Sequence, residues 1–117
     1  MVVGEQYCYL TTRGRKSGLP REIEIWFVEN EGRIYILAEH GLKAHWVQNI
    51  AADPNIHIRI GEQTCKGTAR ILDPASDGAR FAKAQELEQQ KYGWGEGLPV
   101  EITLEQRLNF RNPAGPC

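Results

Sequence analysis

Leu10-Thr11-Thr12-Arg13-Gly14-Arg15-Lys16-Ser17-Gly18-Leu19-Pro20-Arg21 joins two runs that favour a pleated sheet. Before it, Tyr7, Cys8, Tyr9 and Leu10 belong to a first strand expected over residues 6–11, built from residue types enriched in sheets. After it, Glu22-Ile23-Glu24-Ile25-Trp26-Phe27-Val28 alternates, so that Ile23, Ile25 and Phe27 share one face and Glu22, Glu24 and Trp26 the other. The loop between them crowds together Arg13, Arg15, Lys16 and Arg21. Its Gly14 and Gly18 can adopt the positive φ that turns backbone N–H groups toward an anion. That is the make-up of a phosphate cradle, and taken by itself it is equally that of a solvated basic hairpin.

Further along, Asn30-Glu31-Gly32 reads as a hairpin turn and residues 33–38 as the returning strand. Glu39-His40-Gly41-Leu42 breaks that strand, and residues 43–52 have helical spacing, with Trp46, Val47 and Ile50 on one face. Asp53-Pro54-Asn55 stops the helix, because proline cannot continue its hydrogen-bond ladder. Ile56, Ile58 and Ile60 alternate with His57 and Arg59 in a strand with one buried face. Gly61-Glu62-Gln63 turns the chain into a partner over residues 64–72, in which Gly67 is expected to mark a bulge. Ser76 is the expected N-cap of a polar helix over residues 77–92. Its thin apolar stripe of Phe81, Ala84 and Leu87 suits a cover over a surface more than a core. Gly93-Trp94-Gly95-Glu96-Gly97 leads to a last strand, residues 100–104, with Val100, Ile102 and Leu104 inward.

Six strands, mostly in hairpins, and two flanking helices predict an α+β protein, a small antiparallel six-stranded β-barrel that closes its own edges. Such a barrel is too narrow to hold a cofactor inside, so a ligand would lie on the outer wall or between subunits. The 117 residues suffice for one domain, 1–117, with 1–5 and 111–117 as loose tails.

A net charge of −1 makes the basic loop a local feature and argues against a general nucleic-acid binder. No apolar run approaches membrane-spanning length and the first residues carry no charged leader, so a soluble cytoplasmic protein is expected. Cys8, Cys65 and Cys117 are an odd set at no metal-like spacing and are read as structural thiols of a reduced protein. His40 and His45 straddle a loop–helix junction and His57 stands alone, so no metal site is expected. There is no nucleophile elbow, no Rossmann glycine pattern and no Walker loop.

The remaining chemistry is a site for a phosphorylated aromatic ligand that supplies its own reactivity, as flavin-type cofactors do. Lys16, Ser17 and Arg21 would take the phosphate, and Trp26 or Trp46 would pack by the ring. Read alone, Trp46 is more readily a core anchor of its helix. Tyr35, His40 and His45 are the available proton donors.

The blocks Leu10 to Arg21 and His45-Trp46-Val47-Gln48-Asn49-Ile50-Ala51-Ala52-Asp53-Pro54, separated by a hairpin ending at Ala38, resemble the deazaflavin-dependent nitroreductase and quinone reductase family. That family belongs to the flavin/deazaflavin oxidoreductases with the FMN-binding split-barrel fold. The similarity spans residues 10–72 and continues weakly over 99–104. It implies that Lys16, Ser17 and Arg21, with Arg15 beside them, bind the phosphate-bearing tail of a cofactor. It further implies that Glu24, Ile25 and Trp26 line the ring edge, that the backbone from Ala38 through Glu39 and His40 to Gly41 faces the ring, and that Trp46 and Asn49 flank the site. The activity implied is hydride transfer from a reduced 8-hydroxy-5-deazaflavin coenzyme (F-420) to a quinone, nitro compound or other conjugated small-molecule acceptor, in a homodimer. FMN is the alternative cofactor, in an FMN-binding reductase or a relative of the pyridoxamine-phosphate oxidases; a carrier without turnover is a further alternative. Ala38-Glu39-His40-Gly41-Leu42 replaces the Ala-Ser-x-Gly-Gly segment usual in the family, and Ala44-His45-Trp46-Val47 replaces Pro-x-Trp-Tyr. With no N-terminal helical extension before the first strand, an open acceptor pocket is expected.

Overall fold

A computed structural model of the chain describes residues 6–105, so the expected loose tails lie outside the described residues. The strands are β1 (Tyr7–Arg13), β2 (Pro20–Trp26), β3 (Val28–Asn30), β4 (Arg33–Ala38), β5 (Asn55–Ile60), β6 (Gln63–Ile71) and β7 (Leu98–Leu104). The helices are α1 (His45–Ala52) and α2 (Gly78–Tyr92). All pairings are antiparallel, in the order β2-β1-β5-β6-β7-β4-β3. The two edge strands of this sheet, β2 and β3, are consecutive in the chain with only Phe27 between them, so the sheet starts and ends on one continuous segment and curls into a split barrel.

The predicted strand over 22–28 is therefore two strands, which turns the expected six into seven. Its first part pairs with β1 as far as Tyr7↔Trp26, and its second pairs with β4 from Val28↔Tyr35. At Phe27 the chain passes from one ladder to the other. Its side chain is fully buried, joining Cys8, Leu10, Ile34, Ile36, Ile56, Ile58, Ile60 and Ile102 in the barrel interior. Burying each large aliphatic side chain contributes about 1.5–3 kcal/mol. Val47 and Ile50 of α1 pack into the same cluster.

The Phe27 backbone, which neither ladder serves, is satisfied by α2. The Tyr92 hydroxyl accepts from the Phe27 N–H at 3.2 Å and lies 2.7 Å from the Phe27 carbonyl oxygen and 2.6 Å from that of Gln6, either of which can take its one proton. The Lys91 ammonium donates to the Phe27 carbonyl at 2.9 Å and sits 4.2 Å from the centre of the Phe27 ring. Helix α2 is thus more than a surface cover: Ala84, Phe81, Leu87 and Tyr92 build a second core with Val28, Tyr35, Leu37 and Leu72.

Other expectations need correction. Gly41–Lys43 forms a 3₁₀ turn and Ala44 is extended, so α1 starts at His45 rather than residue 43. The N-cap position of α2 is Asp77, not Ser76, and the Asp77 carboxylate accepts from the Asp73 N–H (3.0 Å) and from Arg70 (2.9 Å). No bulge occurs at Gly67, where both β6 ladders run in unbroken register. A Cβ there would come within 2.8 Å of the Thr103 carbonyl oxygen, so the glycine permits close approach of β7. Cys8 is a free buried thiol, whereas Cys65 is disulfide-bonded, against the expectation of a uniformly reduced set. Among the described residues no helix is long and apolar enough to cross a membrane.

Replacing Tyr92 by Phe keeps the ring and removes only the hydroxyl that serves Phe27. Leaving that buried N–H unpaired is expected to cost about 1–3 kcal/mol, read as a lower urea midpoint with an unchanged m-value.

Candidate functional site

The loop between β1 and β2 is fixed by its own backbone. Gly14 N–H donates to the Leu19 carbonyl and Gly18 N–H to the Gly14 carbonyl, both at 2.8 Å, with Gly18 at φ +73° as its glycine allows. The Ser17 hydroxyl oxygen accepts from Leu19 N–H (3.2 Å) and from Arg21 (3.4 Å). Asn49, buried on α1, then ties the loop to the helix. Its Oδ1 accepts from the Arg15 N–H at 3.2 Å and the Arg15 guanidinium at 2.9 Å, and its Nδ2 donates to Thr12 Oγ1 at 3.2 Å. Arg15 also reaches the His45 carbonyl (3.4 Å) and Nδ1 (3.3 Å), so this cation is a strut of the loop. Among the described residues Lys16 and Arg21 pair with no carboxylate, and both stand exposed and able to meet an anion.

These groups border a groove of about 960 Å³, with Arg15, Lys16, Ser17, Arg21, Lys43 and His45 on its walls. The groove meets a second cavity of about 570 Å³ at three shared residues, His40, Ala44 and Trp46. The second cavity is aromatic, walled by Tyr7, Trp26, Trp46 and Trp94, with Glu24, Glu39 and Glu88 at its polar points. Trp26 is held by a parallel stack on Tyr92, ring centres 4.5 Å apart. Positive charge therefore lies along one of two adjoining cavities and most of the indole faces along the other. The chemistry such a surface can support is the binding of a long molecule with an anionic tail and a flat head.

The expected site residues distribute unevenly. Arg15, Lys16, Ser17, Arg21, Asn49 and His45 border the cationic groove, while Glu24, Ile25, Trp26 and Glu39 border the aromatic cavity. His40 and Trp46 touch both, and Trp46 also packs against the core, so its two readings hold together. Ala38 lines neither: it is a core residue paired with Leu98. Tyr35 is also outside. Its hydroxyl donates to the buried Glu101 at 2.8 Å in the second core, away from either cavity, and burial, then Glu101, push its pKa up to about 12.

Sequence reading missed Trp94, Tyr7 and above all Glu88. Glu88 is 1% exposed and neither carboxyl oxygen has a hydrogen-bond partner, yet it borders the aromatic cavity. The available signal was its place four residues after Ala84 and seven after Phe81, on the buried stripe of α2. Burial raises its pKa to about 7, against the pull of Lys91. Cys8 lies close enough to feel it: burial first, then Glu88, push that thiol to about 12.

A curled antiparallel sheet closing through one bent segment is a split barrel, here with a cationic loop beside an aromatic cavity. Among solved structures, an F420-H2 dependent reductase (FDR-A) is 26% identical, with a TM-score of 0.63 over 86% of this chain and 94% of that one. A structure described as a domain-swapped dimer is also 26% identical, with a TM-score of 0.66 over 86% and 80%. A FAD-binding protein from Mesorhizobium loti, 16% identical over 90% and 85% with a TM-score of 0.68, shares the fold. The chain belongs to the F420H(2)-dependent quinone reductase family, whose model matches residues 2–103.

Because the folded-state pKa of Glu88 lies above its unfolded value of 4.5, the native carboxyl holds its proton more tightly than the unfolded one. Its contribution to stability is full below pH 4.5 and falls as the pH rises to about 7, a loss on the order of a few kcal/mol. Thermal melts of the wild type and Glu88→Gln across that interval should show the variant with the flatter profile.

Proposed function

We propose that this chain is an oxidoreductase that binds reduced 8-hydroxy-5-deazaflavin coenzyme (F-420) along the joined cavities. It passes hydride to a quinone, nitro compound or other conjugated acceptor. The observation that carries this reading is that the cationic groove and the aromatic cavity adjoin, sharing His40, Ala44 and Trp46 as walls. The residues present fit the group: exposed Lys16 and Arg21 with Ser17 between them suit the phosphate-bearing tail, and the indoles of Trp46 and Trp26 suit the ring. The larger volume lies at the cationic end, which suits an extended polyanionic tail better than the single phosphate of FMN. Family membership favours the same choice.

When bound, the coenzyme supplies the hydride, and the chain's own residues bind, orient and dehydrate. Arg15 and Asn49 hold the loop in shape for the tail rather than carrying its charge. The carboxylates Glu24 and Glu39 at the aromatic end repel the tail and so fix which way round the molecule lies. His40, exposed where the cavities meet, is the histidine placed nearest the ring end. A single domain working as a homodimer belongs to this proposal, supported by the 26% identical structure described as a domain-swapped dimer.

Fluorescence titrations of the purified protein with F-420 and with FMN, run in parallel, test the cofactor. Lys16→Ala combined with Arg21→Ala should weaken F-420 binding by about 2 kcal/mol, roughly 30-fold, the worth of charge-assisted bonds at an exposed site. Equal affinity in the double variant would remove the phosphate-binding role of the loop. Tighter binding of FMN than of F-420 would overturn the choice of cofactor.

A further inference from the structure

Several polar groups at or near the aromatic cavity already have a use within the protein. Glu24 accepts from the Tyr9 hydroxyl at 2.8 Å, Lys91 donates to Phe27, and the Tyr92 hydroxyl serves Phe27 and Gln6. Glu88 differs. It is buried to 1% exposure on a helix interior, both oxygens lack a partner, and it borders a cavity large enough for a ligand. A buried polar group left unsatisfied costs about 1–3 kcal/mol, and a leucine at this position of the stripe would avoid that cost. A ligand that completes the hydrogen bonding of the carboxyl must offer an acceptor atom to an O–H donor. It must also be flat and apolar enough to sit against Trp26, Trp94 and Leu37.

We infer that Glu88 is a catalytic acid that donates a hydrogen bond, and then its proton, to a carbonyl oxygen of a planar quinone seated at the far end of the aromatic cavity. This rests on the proposed function for the source of hydride. As hydride from the reduced deazaflavin adds to the quinone, two electrons and one hydrogen arrive and negative charge gathers on an oxygen. The Glu88 O–H bond breaks as the O–H bond of the product forms, leaving the hydroquinone and a carboxylate. That carboxylate recovers a proton from water at the cavity mouth. Burial favours the neutral acid that this step needs, since the carboxyl titrates near 7. The groups that share its surroundings are Cys8 and Tyr7 of β1, Glu24 of β2, Glu39 after β4, and Lys91 and Tyr92 of α2. His40 stands at the junction beyond them. Of these, Lys91 opposes the neutral form, and burial outweighs it.

Infrared difference spectra of the wild-type protein with menadione, in the absence of any coenzyme, read the carboxyl directly. A shifted carbonyl stretch of a protonated carboxyl, absent from Glu88→Gln, is expected. Menadione affinity, followed by quenching of tryptophan fluorescence, should fall about tenfold in Glu88→Leu and should weaken in the wild type as the pH rises through 7. In single-turnover reduction with reduced F-420, Glu88→Gln should bind menadione and slow the step at least tenfold, with F-420 affinity unchanged. An unshifted carboxyl band, or Glu88→Leu binding menadione as tightly as the wild type, would overturn the inference while leaving the cofactor reading in place. Failure of F-420 to bind would overturn the proposed function, and the infrared arm would still decide the role of Glu88 as a quinone ligand. Should either variant fail to fold, the shift of the carboxyl band in the wild-type protein, present or absent, decides the matter by itself.

Discussion

The closure of the sheet at Phe27 is the constraint on which the other parts depend. A strand that leaves one ladder for another must abandon its backbone partners at the crossing point, and here that point is buried. Buried peptide groups need partners, and the bend itself offers none. The last turn of α2 provides them through the Tyr92 hydroxyl and the Lys91 ammonium. Once those contacts exist, α2 is held against the seam along its length, and the rest follows from helical geometry. The Tyr92 ring stacks on Trp26, and Glu88, one turn earlier, meets the same cavity.

A second buried contact sets the other half of the depression. Asn49 joins Arg15 and Thr12, so the cationic loop is tied to α1. Across the molecule, Glu101 performs a similar task for the sheet and α2: its carboxylate receives Arg70 at 3.5 Å, Arg80 at 3.3 Å and the Tyr35 hydroxyl at 2.8 Å. Those contacts are satisfied on every side, and their value lies in fixing β4, β6, β7 and α2 relative to one another. Glu88 stands in contrast. Both are buried carboxylates on packed elements, and only one of them is completed by the protein itself.

Much of this architecture is legible in the alternation of apolar residues, since Ile56, Ile58 and Ile60 or Val100 and Ile102 announce which face is inward. The break at Phe27 is not, because the alternation that marks β2 runs on to Phe27, and a change of pairing partner leaves the period of the side chains intact. Tyr35 reads as available because a strand residue points to one of two faces, and sequence alone does not say which face meets a cavity. Glu88 escapes for a different reason. Phe81, Ala84 and Leu87 define the apolar stripe of α2, and a carboxylate on the same stripe reads as solvated because of its charge. The cationic loop is legible because its function and its turn chemistry both depend on local sequence.

The coincidence of seam and cavity bears on why an unsatisfied acid persists at this place. A helix recruited only to seal Phe27 would gain by carrying an aliphatic residue at position 88, where burial is complete and the neighbours include Cys8. Its sealing groups, Lys91 and Tyr92, lie three and four residues further on, so a change at 88 need not disturb them. Stability therefore argues against a carboxyl there, and nothing in the packing of the second core requires one. What the position offers is a proton donor at the wall of an aromatic cavity, itself 1% exposed and held on a helix. In that setting a neutral acid is at its most useful to an incoming carbonyl, because no solvent competes for the hydrogen bond and the charge left behind is costly enough to draw a proton back. The feature that weakens the fold is the one that equips the cavity for proton transfer.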